Sequence, residues 1–328
     1  MGKVGRRRFL IGATALVATP LGLAVEARAT TPRLGFLISE TLSGQASRLE
    51  ALRAGLRDLG YVEGKNIVIE LRPADGDYDR LPQLAVELVR LKVDVLVAFG
   101  GKAILAARQA TTTIPIVAPT SGDPIAAGLT SSLARPSGNI TGSAIFTPEL
   151  SMKTLELLKE ALPSVKRIAW LFNPVNPNNK RGLQDMREAT AVLKLELQPY
   201  EVRLPKDFAG AFQAMAKARV EGVGVGRDTL FQAHGKDIVA LAAKHRLPLV
   251  GPREFAERGF LIGYGQDDEA VYRRGAYFVD RILKGAKPGD LPFERPTRFD
   301  LVINLKTARA LGITIPRVLL ARADRVIE

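Results

Sequence analysis

The fold of this chain is decided by residues 94–128, which read DVLVAFGGKAILAARQATTTIPIVAPTSGDPIAAG. Two short apolar runs, at residues 93–99 and 114–119, flank one helical segment at residues 103–109. A strand, a helix and a second strand of these lengths form a βαβ unit with parallel strands and a right-handed crossover. Each run ends in a loop of small polar residues, at 100–102 and 120–124. Open α/β sheets bind ligands at this carboxyl edge, so the stretch predicts half of a small-molecule site.

The same alternation of strand and helix patterns runs through most of the chain, and it starts twice. The first half predicts strands at 34–39, 67–71, 93–99, 114–119 and 140–146, with helices at 46–59, 78–91, 103–109 and 125–133. The second half predicts strands at 167–172, 196–202, 222–225, 247–251 and 260–264, with helices at 148–162, 180–193, 208–218 and 230–244. We therefore predict an α/β protein with two doubly wound lobes.

The tail of the chain breaks this pattern. A helix at 267–283, an extended segment at 298–303 and helices from 305 and near 318 follow two lobes that are already complete. These elements must join the existing lobes, so the chain crosses between lobes several times and forms a hinge. We predict an N-terminal lobe of residues 32–145 plus 267–296 and a C-terminal lobe of residues 146–266 plus 297–328.

The first 29 residues have the pattern of a twin-arginine signal peptide. Arg6 and Arg7 precede an apolar run that ends near residue 25, and Ala27 and Ala29 form a small-x-small cleavage site. The alternative is a membrane anchor, but the run is interrupted by Pro20 and is shorter than the roughly 20 residues that span a bilayer. Export to the periplasm by the Tat route, with cleavage after Ala29, is the prediction.

Composition excludes several classes of protein. The 328 residues include no cysteine, which excludes disulfides and thiol chemistry. The formal charge is +13, and the five basic residues and one acid of the leader leave +9 for the rest. These charges are scattered among acids, without a basic run beside aromatic residues, so we predict no nucleic-acid partner.

Catalytic and metal-binding motifs are missing from the sequence. The two histidines lie eleven residues apart at 234 and 245, without HExxH spacing. The segment Gly100-Gly101-Lys102 lacks the first glycine and the hydroxyl residue of a phosphate loop, and no G-x-S-x-G elbow occurs. We predict no enzyme activity, no metal and no cofactor.

Loops at the carboxyl ends of strands supply the candidate ligand-binding residues. Helix starts after Gly101 and Ser121 offer backbone N–H groups to a carboxylate or phosphate. Asp123 either receives an ammonium group or caps the next segment, and Lys102 points either to the ligand or to solvent. Tyr264 offers a ring for stacking or marks a hinge. The full set is Thr41, Ser43, Gly101, Lys102, Ser121, Asp123, Asn173, Asp228 and Tyr264.

Several segments together resemble one family of proteins. They are GYVEGKN at 60–66, DPIAAGL at 123–129, RPSGNITG at 135–142, YG at 264–265, INLKTA at 303–308 and ADRVIE at 323–328. Their combination resembles the ABC-transporter substrate-binding proteins of the tryptophan-binding-protein-like group. The resemblance implies a type I periplasmic-binding-protein fold, in which two Rossmann-like lobes are joined by a three-crossing hinge with the ligand in the cleft between them. The crossings are expected near 144–148, 265–269 and 296–303.

The resemblance also implies a function. It predicts an extracytoplasmic solute-binding protein that carries a small polar or aromatic, amino-acid-like solute to an ABC permease of the inner membrane. Two departures are Lys102 where proline is usual and Ser137 where glycine is usual, and Lys102 would favour a more acidic or larger solute. The alternatives are a ligand-sensing subunit of a signalling system and an α/β transferase.

Overall fold

The computed structural model describes residues 1–2, 31–145 and 147–328, without the side chains of residues 147, 148, 177, 178, 180 and 181. The predicted signal peptide thus lies outside the described residues, apart from residues 1 and 2. Residues Thr31–Glu328 form one compact unit that contains every helix and strand named below.

The first sheet consists of five parallel strands in the order β2-β1-β3-β4-β5. They are β1 (Arg33–Ile38), β2 (Val68–Pro73), β3 (Val95–Phe99), β4 (Ile116–Ala118) and β5 (Ile140–Gly142). Three helices connect them, α1 (Ala46–Asp58), α2 (Leu81–Arg90) and α3 (Gly101–Ala110). The pair β3–β4 with its α3 crossover is the βαβ unit that the opening stretch predicts.

The second sheet has seven strands in the order β12-β11-β10-β9-β8-β6-β7. They are β6 (Arg167–Phe172), β7 (Glu196–Glu201), β8 (Gly222–Val225), β9 (Leu249–Gly251), β10 (Ile262–Gly265), β11 (Asp300–Asn304) and β12 (Arg325–Ile327). All neighbouring pairs described are parallel except β10–β11. Its helices are α4 (Thr147–Ala161), α5 (Pro177–Leu193), α6 (Asp207–Lys217), α7 (Thr229–Ala233), α8 (Gly235–Lys244), α10 (Leu305–Leu311) and α11 (Arg317–Ala321).

The inner strands of each sheet are buried on both faces, which is why strands such as β3 are continuous apolar runs. In β1, Leu34 and Phe36 belong to a core shared with α1, whereas Leu37 belongs to a core shared with α2 and α3. The second sheet separates its cores in the same way, with Ile168 of β6 facing α4 and α5 and Leu171 facing α6 and α8. This layering is that of the two predicted doubly wound lobes.

The chain returns to each sheet after both are formed. The helix α9 (Asp268–Leu283) packs on α1 and completes the core over one face of the first sheet. The strands β11 and β12 then extend the second sheet. Crossings between the two sheets run from β5 to α4, from β10 to α9 and from residue 294 to β11. Ala144 N donates to Glu294 O at 2.8 Å and Glu294 N to Gly142 O at 2.9 Å, so the first and third crossings are paired. The exact lobe boundaries stay a prediction.

Three local predictions differ from the structure. Residues 124–129 form turns rather than the predicted helix, because Gly128 has a φ of +65° and Leu129 N bonds back to Pro124 O. The predicted helix at 230–244 is divided into α7 and α8 at His234, whose ψ of 22° interrupts the helix. The short strand β12 was not predicted, since three half-exposed residues give no clear period.

The closest approach of α1 and α9 yields a stability prediction. A Cβ on Gly55 would collide with the carbonyl oxygen of Arg273 and lie 2.8 Å from the Ala276 Cβ. Gly55→Ala should therefore lower the free energy of unfolding by about 1–3 kcal/mol, measured by urea unfolding. Gly210→Ala in α6 is the matched control, since no heavy atom lies within 4 Å of its Cβ position. It should raise the free energy by about 0.5–1 kcal/mol, and equal effects of both changes would contradict the packing argument.

Candidate functional site

A cavity of about 150 Å³ lies between the two sheets, beside the carboxyl ends of their strands. Its lining includes Gly100 and Thr120 after strands of the first sheet and Asp228 after a strand of the second. Gly100 has a φ of +96° and no side chain caps the α3 helix that follows it. The cavity therefore occupies the position at which open α/β sheets hold ligands.

The second lobe gives this cavity an apolar wall. Trp170 of β6, Leu155 of α4 and Met186 of α5 line it. Glycine at residue 224 makes space for the Trp170 indole, because a Cβ there would lie 2.9 Å from the ring. Gly182 of α5 also lines the cavity, and its Cβ position is 3.9 Å from the same ring. A wall of this composition suits an aromatic or branched apolar group.

Four charged groups form a buried cluster beside the cavity. Arg48 Nη2 contacts Asp268 Oδ2 at 2.8 Å and Glu254 Oε1 at 3.2 Å, and Arg227 Nη1 contacts the same two oxygens at 2.7 and 3.2 Å. Burial alone would raise the pKa of Asp268, but the guanidinium groups of Arg227 and Arg48 lower it to about 2. The two guanidinium groups thus keep Asp268 ionised at neutral pH.

Contacts across the cleft hold the lobes closed in this structure. Arg48 lies on α1 of the first lobe and also donates to Gln232 Oε1 on α7 of the second. Tyr78, which precedes α2, shares a hydrogen bond with the hydroxyl of Thr229 at the start of α7. Residues of both lobes consequently line the cavity.

Asp228 is held by a set of amides. Asn173 Nδ2 and Asn179 Nδ2 each donate to its carboxylate at 3.2 Å, and Asn176 Nδ2 donates at 2.8 Å. The backbone N–H of Leu230 adds a fourth bond at 2.9 Å, so Asp228 also caps α7. Burial raises the pKa of Asp228, while these hydrogen bonds oppose the rise. Asp228 and Asn173, both predicted from the sequence, therefore act as one unit that shapes the cavity.

Glu40 is the most unusual acid of the cavity. It is 2% exposed, and neither carboxylate oxygen has a well-aligned hydrogen-bond donor among the described residues, although the neighbouring Gln45 amide helps to lower its pKa. Burial raises the pKa of Glu40 from 4.5 to about 8, although the charges of Arg48 and Arg258 oppose this rise. An unpartnered buried carboxyl in a ligand cavity is a candidate recognition group.

The structure brings three of the nine predicted residues to the cavity lining, namely Gly101, Asp228 and Tyr264. The other six are outside the lining. Asn173 supports Asp228, the Ser121 hydroxyl donates to Ser143 O, and Thr41 and Ser43 bond to each other. Asp123 accepts from the backbone of Ile125 and Ala126, which is the capping alternative, and Lys102 is half-buried. Their roles in binding stay predictions.

Sequence reasoning missed Glu40, Arg48, Trp170 and Arg227. The position of Arg48 could have been recognised from the sequence. It lies four residues before Leu52 on the apolar face of α1, where a charged residue is unusual. Glu40 directly follows the first predicted strand and its position was part of a predicted loop. Trp170 gave no signal beyond membership of a buried strand.

No group of three or more histidine, aspartate or glutamate side chains among the described residues is arranged to hold a metal ion. None of the helices in that part of the chain has both the length and the apolar character needed to cross a membrane.

Removal of Arg48 tests the charged cluster. Arg48→Met keeps the aliphatic stem but leaves Glu254 and Asp268 with Arg227 alone, so the free energy of unfolding should fall by about 2–4 kcal/mol. Arg57→Met on the same helix, at an exposed ion pair with Glu50, should change it by less than about 0.5 kcal/mol. Chemical denaturation measures both, and similar effects would show that the cluster has no special role.

The pKa of Glu40 predicts a pH dependence. Between pH 4.5 and about 8 the folded protein retains a proton that the unfolded chain has lost, so stability decreases as pH rises through this window. The Tm of the unliganded protein should fall by at least about 3 °C between pH 6 and pH 9, and Glu40→Gln should remove that part of the fall. A calorimetric series checks this, and an identical pH profile for the variant would refute it.

Comparisons with known proteins agree with this architecture. The family model for ABC transporter substrate binding proteins matches residues 40–327. A "tyrosine-binding protein" of Clostridioides difficile is 27% identical over 260 residues, which are 79% of this chain and 74% of that protein. A conserved domain protein from Vibrio cholerae superposes with a TM-score of 0.86 and 30% identity, covering 90% of this chain and 100% of the other.

Two further solved structures are similar to this chain. An ABC domain from Streptococcus pneumoniae in complex with L-Trp has a TM-score of 0.85 and 25% identity, covering 91% of this chain and 100% of that one. The ligand-free, open structure of a substrate-binding protein with adhesive properties from Clostridium difficile has a TM-score of 0.66 and 22% identity, covering 90% and 99%. The fold is that of type I periplasmic binding proteins, as the resemblance implied. The chain therefore belongs to the family of ABC transporter substrate-binding proteins.

Proposed function

We propose that this protein binds an aromatic amino acid in the cavity between its lobes and delivers it to the permease of an ABC importer. The observation that carries the proposal is the combination of the Trp170 wall with buried polar groups from both lobes. The curated relative is called a tyrosine-binding protein, and one similar structure contains L-Trp. Both names support an aromatic ligand for a cavity with this wall.

The cavity also offers a place for the carboxylate of such a ligand. Gly100 and Gly101 line it at the N-terminus of α3, and no side chain caps this helix. The first N–H groups of a helix bind anions because they are unpaired and lie at the positive end of the helix dipole. Thr120, which follows β4 and also lines the cavity, adds a hydroxyl group.

Closure is the proposed mechanism of capture. The ligand contacts the first lobe at α3 and the second at Trp170, so it stabilises the closed form more than the open one. Members of the family are substrate-binding proteins rather than enzymes, and no bond in the ligand is made or broken in this mechanism. A micromolar Kd requires about 8 kcal/mol of binding free energy, which a buried ring and several charge-assisted hydrogen bonds can provide.

The compartment in which this function takes place follows from the family and from the predicted signal peptide. Substrate-binding proteins of ABC importers work outside the cytoplasm and hand their ligand to a membrane permease. We infer that the twin-arginine leader exports this chain to the periplasm and is cleaved after Ala29. Amino-terminal sequencing of the protein purified from the periplasm should start at Thr30.

A binding experiment with a cavity-filling variant tests the proposed ligand class. Calorimetry with L-tryptophan, L-tyrosine and L-phenylalanine should give saturable binding with unchanged ligand recovered afterwards. Gly182→Leu adds a side chain to the cavity lining, and its Cβ would meet the Trp170 ring only at an ordinary contact distance of 3.9 Å, so it should weaken this binding at least about tenfold without unfolding the protein. Gly210→Leu, the same change in an exposed helix position, is the matched control and should bind normally. Absence of binding by all three amino acids, or turnover of any of them, would reject the proposal.

A further inference from the structure

The acids around the cavity differ in how their charge is balanced. Asp268 is paired with two arginines, and Asp228 receives four hydrogen bonds. Glu40 lines the same cavity and is equally buried, but it has no ion pair and no well-aligned donor among the described residues, and its polar neighbour is the amide of Gln45. A buried carboxylate without a partner is strongly disfavoured, so the protein carries a polar group that a ligand can satisfy.

The neighbouring arginines are already engaged elsewhere. Arg48 uses Nη1 for Gln232 and Nη2 for Asp268 and Glu254. Arg258 donates to the carbonyl oxygen of Gln232, and its guanidinium lies over the Phe255 ring at 5.5 Å. Both cations act on Glu40 through space but make no ion pair with it among the described residues. The described residues therefore supply no cation that pairs with Glu40, and a ligand in the cavity is in a position to do so.

A second acceptor lies in the same loop. Gln45, directly before α1, lines the cavity, and its buried Oε1 likewise has no donor among the described residues. A carboxylate and an amide oxygen that lack well-aligned donors favour a ligand group with several N–H bonds, and a positive charge on that group would balance Glu40. An alkylammonium has three donors and a full positive charge, which fits both requirements.

We propose that Glu40, assisted by Gln45, is the residue that recognises the ammonium group of the ligand. This inference rests on the proposed function, because it assigns a part of the same cavity. Asp123, the acid that the sequence suggested for this role, bonds to its own loop and lies outside the lining. A ligand that lacks the ammonium group leaves Glu40 unpaired in the closed protein, so Glu40 makes the site selective for amino acids over the corresponding acids.

Matched ligands test the inference without any variant. Calorimetry at pH 7 compares L-tryptophan with 3-(indol-3-yl)propionate, and L-tyrosine with 3-(4-hydroxyphenyl)propionate. Each pair differs only in the ammonium group. We expect the wild-type protein to bind each amino acid at least about 100-fold more tightly than its partner acid.

Glu40→Gln then assigns the preference to one side chain. The variant should lose about 100-fold in affinity for the amino acids while its affinity for the deaminated acids stays within about threefold, so the preference disappears. Glu50→Gln, at an exposed acid on α1, is the matched control and should behave as wild type. Circular dichroism and the Tm without ligand confirm that Glu40→Gln is folded, which is expected because glutamine resembles the protonated acid in shape.

The outcomes separate this inference from the proposed function. Equal binding of amino acids and deaminated acids by the wild type, or an unchanged preference in Glu40→Gln, overturns the role of Glu40 even though aromatic solutes bind. If no aromatic solute binds, a thermal-shift panel of aliphatic amino acids, polyamines and dicarboxylates follows. Hits confined to ammonium-bearing solutes and lost in Glu40→Gln uphold Glu40 and reject the aromatic ligand, whereas hits among dicarboxylates reject both.

Discussion

The buried guanidinium of Arg48 is the contact on which the closed structure depends. It reaches from α1 to Gln232 on α7, to Glu254 and to Asp268 at the start of α9, and it therefore joins the two lobes and the hinge at one point. Burial of charges is costly, and such clusters usually contribute little net stability. What this cluster provides is geometry, because this arrangement of the lobes gives each of the four charged groups a partner. The cavity is shaped by that arrangement, with Glu40 at its first-lobe side and Trp170 at its second.

Much of the fold was predictable because it depends on local periodicity. Strands buried on both faces, such as β3 and β6, are unbroken apolar runs, and the helices between them repeat apolar residues every three or four positions. The turn at 124–129 and the break at His234 were not predicted, since each depends on the backbone angles of a single residue. The antiparallel direction of β11 was not predictable either, because it depends on the path of the chain from the end of α9 back to the second sheet.

The site was less predictable than the fold, since its parts come from distant segments. Position at the carboxyl end of a strand indicated Gly101, Asp228 and Tyr264, which line the cavity, and their role in binding stays a prediction. The same rule also selected Ser121 and Asp123, whose side chains form hydrogen bonds with nearby backbone groups instead of lining the cavity. Arg48 and Asp268 are 220 residues apart, so no window of sequence shows that they meet. Glu40 has no ion pair among the described residues, while Arg48 and Arg258 bond to other groups, and only the assembled cluster shows this.

The late return of the chain to both sheets determines when each lobe can be finished during synthesis. The five strands of the first sheet leave the ribosome early, but the core over one of its faces stays uncovered until α9 has been made. The second sheet in turn waits for β11 and β12 at the very end of the chain. Neither lobe is complete on a nascent or truncated chain, so an unfinished product exposes apolar surface. Quality control by chaperones and proteases can thus distinguish an intact binding protein from a shortened one by that surface.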